Sequence, residues 1–102
     1  MDKITTTIKR PWLAAIIAGE KKVEYREMKP YWKKRLDNVS IPFELRLING
    51  MQLRAPEVTV VVARVGRNLK TREYELHIRR VVRHSNWDKR RRTPTPRPGR
   101  RA

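Results

Sequence analysis

Hydrophobic positions along the chain fall mostly into alternating runs, with one short continuous apolar stretch near the start. Ile4 to Ile8 (ITTTI) is dense in β-branched residues, which suit a pleated surface, and predicts a first strand. Pro11 then opens PWLAAIIA, apolar almost throughout and closed by Gly19. Proline fits the first turn of a helix and glycine ends one by accepting positive φ, so Pro11 to Ala18 reads as a short buried helix. Lys21 to Arg26 alternates, with Val23 and Tyr25 on one face and Lys22, Glu24 and Arg26 on the other. That predicts a strand with one charged face and with Tyr25 turned inward beside Val23. Phe43 to Leu47 (FELRL) alternates cleanly and runs into Asn49-Gly50, a turn signal. Glu57 to Leu69 and Arg72 to Trp87 predict two long strands joined at Asn68 to Thr71, pairing as a hairpin. In the second, Tyr74, Leu76 and Ile78 oppose Glu73, Glu75, His77 and Arg79. Lys29 to Asp37 (KPYWKKRLD) shows neither period clearly and fits one helical turn or an ordered loop. The sum is a mostly β, α+β domain with one short buried helix. About five strands in so short a chain favour a curved sheet or small barrel, because closure removes exposed edges.

Length and composition narrow the classes. A chain of 102 residues makes one small domain and excludes a large multidomain enzyme. Without cysteine there is no disulfide framework, no thiolate-bound metal and no cysteine nucleophile. The opening MDKITTTIKR lacks the apolar core of a signal peptide, and no apolar run approaches the roughly 18 residues of a membrane span, so a cytoplasmic protein with no membrane partner is expected. The 26 Lys and Arg outnumber the 10 Asp and Glu, giving a net charge of +16. Residues 89–102 hold seven of those cations, three prolines and no acid, which leaves the body at 19 − 10 = +9. A body over residues 1–88 and a basic, Pro/Arg-rich disordered tail over 89–102 are therefore expected. Such an arm suits polyanions, or simply solubility. His77 and His84 stand seven apart, and in a regular strand odd spacing sends side chains to opposite faces, so neither a metal site nor a two-His nuclease pair is expected. Glu73 and Glu75 read as a salt-bridged surface, and no cofactor is implied.

The segment Gly19-Glu20-Lys21-Lys22-Val23-Glu24-Tyr25-Arg26 resembles the G-x-K-x-x-E-x-R motif of ASCH domains at all four of its positions. Pro11-Trp12 and the strand and helix just before the motif resemble the same family, and the likeness extends to about Trp87. It implies a PUA-like small β-barrel. It also implies binding of nucleic acid, RNA above all, with a nucleotide in a cleft between motif and barrel. In that setting Lys21 and Arg26 suit phosphate or a base edge, and Glu24 accepts from an exocyclic amine or holds the two cations. From the residues alone, Lys21, Glu24 and Arg26 read first as a structural ion-pair set, and the resemblance reverses that order. Trp12 and Tyr25 could also stack on an unpaired base, but each reads first as core. Tyr31 and Trp32, beside Lys29, Lys33, Lys34 and Arg35, offer contact surface for an unpaired base. Arg90, Arg91 and Arg92 would add phosphate affinity from the tail. Two alternatives follow from the resemblance. One is a small RNA-directed hydrolase, a ribonuclease with Glu24 as base or a modified-nucleoside amidohydrolase using Lys21. For the latter the pattern departs, since Glu24 fills the position of that branch's threonine. The other is an interaction module whose cleft takes an acidic protein partner.

Overall fold

The computed structural model describes residues 1–96, which form seven strands and two helices: β1 (Lys3–Thr7), α1 (Arg10–Ile17), β2 (Val23–Glu27), α2 (Pro30–Asp37), β3 (Phe43–Ile48), β4 (Glu57–Asn68), β5 (Glu73–Ser85), β6 (Trp87–Asp88) and β7 (Thr93–Pro94). The first five strands make one sheet in the order β1-β3-β4-β5-β2. β1 pairs with β3 in parallel and all other neighbours are antiparallel. The sheet curls into a half-barrel. β1 and β2, its two edges, are not hydrogen-bonded to each other as strands.

Alternation decides what the half-barrel encloses. Phe43, Leu45 and Leu47 of β3, Val58, Val60 and Val62 of β4, and Tyr74 and Leu76 of β5 line its inside. Leu13, Ile16 and Ile17 of α1, spaced three and four apart on one helix face, close over them with Trp32 and Trp87. The expected hairpin is β4–β5, and the mostly β character with a short buried helix is as the pattern required.

Four expectations are corrected. On β2 the alternation holds but the faces are exchanged: Glu24 is 5% exposed and Tyr25 47%. Register explains it, because Glu24 stands opposite Leu76, whose face is the core, and Tyr25 stands opposite Glu75. Trp12 is 52% exposed rather than core, since the inward stripe of α1 passes through Leu13, Ile16 and Ile17 and leaves Trp12 beside it. Lys29 to Asp37 is neither a single turn nor a loop but the helix α2, with Pro30 at its start and Trp32 and Leu36, four apart, packed on the core. Finally, the boundary after Asp88 falls inside a small hairpin. β6 pairs with β7, Asp88 accepts from the Arg91 and Arg92 amides, and the Thr95 amide donates to Asn86 O. Residues 89–96 are thus folded rather than an extended arm; Arg97, Arg100 and Arg101 lie outside the described residues.

Candidate functional site

The end of α1 sets the site. Gly19 takes φ +79°, its amide donates to Ile16 O and that of Glu20 to Ala15 O, the pattern in which a glycine just past the last helical residue reverses the chain. Lys21 also donates its amide to Ala15 O, so its side chain leaves from the helix end. Its ammonium lies 5.2 Å from the Trp12 ring and 5.0 Å from the Tyr25 ring, held between two aromatic faces.

β2 brings Glu24 and Arg26 to the same place. Lys21 Nζ is 3.5 Å from Glu24 Oε1, while Arg26 Nε and Nη2 donate to Glu24 Oε2 at 3.0 and 2.6 Å. Both oxygens of the buried carboxylate therefore have cationic partners, which is what offsets its desolvation. Arg26 Nη2 also donates to Thr7 O at 2.8 Å, and Arg35 Nη1 to Thr5 O at 3.4 Å. On β1 the bonds to β3's side fall on Asp2 and Ile8, so odd-numbered carbonyls face the open edge. Arg26 thus bridges β2 to β1 where a closed barrel would have a strand pair, and Arg35 ties α2 to the same edge.

Beside this bridge opens a cleft of about 700 Å³. Thr7, Trp12, Arg26 and Tyr31 line it, and so do Lys9, Lys29, Glu27 and Glu73. With Glu24 and Arg26 included, its lining holds three cations and three carboxylates, so the cleft is charge-balanced on a chain of net charge +16. Lys29 pairs with Glu27 at 2.8 Å, and that hydrogen bond raises the lysine's pKa above its ordinary value. Glu73 makes no ion pair among the described residues.

Of the expected residues, Lys21, Glu24 and Arg26 come together as one cluster. Tyr31 is 57% exposed on the cleft wall; Trp32 is buried, edge-on to Tyr31 at 6.1 Å and under the Arg26 guanidinium at 5.3 Å. Arg35 lies 4.5 Å from the Tyr31 ring. Lys33 is tied to Asp37 at 2.7 Å, and Lys34 is exposed on α2. Arg90 and Arg91 are exposed on the turn between β6 and β7, and Arg92 grips both oxygens of Glu20 at 2.8 and 3.0 Å, away from the cleft. Sequence reasoning missed Glu27 and Glu73, which the β2–β5 register sets directly opposite each other. It placed the rings of Trp12 and Tyr25 in the core; for Tyr25 the signal to the contrary was the odd-even phase it shares with Glu75.

No protein-family model, curated protein or solved structure matches the chain. Among the described residues no helix is long and apolar enough to cross a membrane, and no group of three or more His, Cys, Asp or Glu is placed to hold a metal ion.

Proposed function

We propose that the half-barrel is a PUA-like domain of the ASCH kind and that it binds RNA, taking an unpaired nucleotide in the cleft beside Lys21, Glu24 and Arg26. One observation carries this reading: Trp12, Tyr25 and Tyr31, all large and exposed, ring a charge-balanced cleft on a strongly basic protein. Exposed rings offer stacking faces to any base. Charge balance inside favours a neutral base over a phosphate, while the surplus positive charge outside favours the backbone. Arg90 and Arg91, on the exposed turn of the C-terminal hairpin, supply additional phosphate contacts. No comparable observation favours hydrolysis by Lys21 and Glu24. Both Glu24 oxygens are engaged by cations, so its carboxylate serves to hold Lys21 and Arg26 rather than to take a proton.

The test is an amide and indole NMR titration of the full chain with a short single-stranded RNA. Shifts concentrated at Trp12, Lys21, Tyr25 and Tyr31 are expected. Shifts confined to the arginine-rich C-terminus would overturn the cleft as the binding site, and competition by an acidic peptide at the same resonances would favour a protein ligand.

A further inference from the structure

The outer face of the β4–β5 hairpin has an unusual register. Pairing shifts between Thr59 and Val60, between Val61 and Val62, and between Val62 and Arg64. Ile78 stands opposite Val62 and Arg80 opposite Val61, which leaves Arg79 as an extra residue on β5; likewise Val82 is extra between Val81 and Arg83. Tyr74, Leu76 and Ile78 set an inward phase, so in a regular strand Arg80 would follow them toward the core. The first bulge reverses that phase. Arg79 and Arg80 are both exposed, and so are Arg83 and, across the hairpin, Arg64 opposite His77. Bulges re-aim side chains in this way, and here they gather arginines on one surface.

That surface is not neutralised evenly. Glu44 lies between Lys3 at 3.8 Å and Arg83 at 3.5 Å, and Glu57 pairs with Arg46. Arg64, Arg79 and Arg80 have no acidic partner among the described residues. Exposed like charges gathered on one sheet face repel one another weakly through water, and an anion lying over them turns that repulsion into attraction. The patch also connects with the cleft. Tyr25, on the cleft wall, shares the outer face with Val23, and Val23 stands opposite His77, itself opposite Arg64. Strand spacings put Arg64 about 12 Å and Arg80 about 17 Å from Tyr25, within reach of a few nucleotides.

We propose that Arg64, Arg79 and Arg80 form a second phosphate-binding surface, which takes the backbone of the RNA strand next to the nucleotide in the cleft. The proposal rests on the RNA reading for the identity of the polyanion, and its test separates the two. Affinity of the full chain for a single-stranded 12-nucleotide RNA and for a trinucleotide is measured across a series of salt concentrations. Each phosphate contact contributes about 0.7 to the slope of log affinity against log salt for single strands. The Arg79→Gln, Arg80→Gln variant is expected to flatten the 12-mer slope by about 1.4 and to leave the trinucleotide unchanged. Arg79→Lys, Arg80→Lys, which keeps both charges, is expected to restore the slope. A control, Arg54→Gln with Lys70→Gln, removes the same charge from two exposed loops and should have little effect. An unchanged 12-mer slope in the glutamine variant, or an equal flattening in the control, overturns the surface. A flattened slope in the glutamine variant together with a Trp12→Ala variant of undiminished affinity overturns the cleft and leaves the outer surface standing. Failure of the wild-type chain to bind the 12-mer overturns both.

Discussion

Glu24 shows how one buried charge organises a site. With 7% of its side chain exposed, it depends on Lys21 and Arg26, and they lose their common anchor without it. Glu24→Gln keeps shape and one acceptor but removes the charge, and should cost about 2 kcal/mol of unfolding free energy in a urea titration. Arg26→Lys should cost about 1 to 2 kcal/mol despite conserving charge, because one ammonium cannot reproduce the fork that spans Glu24 and Thr7 O. Trp12→Ala makes the complementary case. Trp12 is half exposed and outside the core stripe, so stability should fall by only about 1 kcal/mol, chiefly through the lost contact of its ring with the Lys21 ammonium. RNA affinity, followed by fluorescence anisotropy, should fall about tenfold or more as one stacking face is lost. A stability loss without an affinity loss would make the ring structural.

At the scale of elements, patterns with a clean period were legible and those without were not. β3 and β5 announce themselves because each alternates over a half-buried sheet, and α1 because Gly19 and Pro11 bracket an apolar run. α2 was hidden because only Trp32 and Leu36 mark its inner face among basic residues, and its capping gives no polar signal: Lys29 caps it without a side-chain bond. β2 was half legible, its alternation plain and its phase not, since burying Glu24 is reasonable only once the cations beside it are known. The cleft was named through Lys21, Glu24 and Arg26, while Glu27, Glu73 and the bulges of β5 come from register, which no local pattern fixes. The β6–β7 hairpin was concealed by prolines and arginines that read as a solvated arm. It is clamped to the end of α1 by Arg92 and Glu20, and this pair has a pH signature. The guanidinium holds the Glu20 pKa below its ordinary 4.5, so the pair stabilises the hairpin above that range and the contribution disappears as pH falls through the lowered value. Hydrogen exchange at the Thr95 amide should therefore accelerate on acidification, after correction for the intrinsic rate, and Glu20→Gln should show the accelerated opening already at neutral pH.

Over the whole molecule, positive charge is placed unevenly. Arg26 of β2 and Arg35 of α2 both bond the free edge of β1, carboxylates neutralise the cleft, and arginines with no acidic partner among the described residues collect on the outer sheet and on the turn between β6 and β7. On the RNA-binding proposal, folding and polyanion affinity therefore divide at a different point from the one composition suggests. Truncation after Pro96 removes Arg97, Arg100 and Arg101 but keeps β7 and the Arg92 clamp, so the melting temperature should stay within about a degree or two. The salt slope for RNA should flatten by about 0.7 for each of those arginines that meets phosphate. Truncation after Asp88 also removes β7 and the clamp. Trp87, 5% exposed, then loses its partner strand, and the melting temperature should fall by several degrees, as expected for about 1 kcal/mol in a domain of this size. Equal melting temperatures for the two truncations would mean that the hairpin contributes nothing to the fold, and the basic C-terminus would then act as a single arm from Lys89 onward.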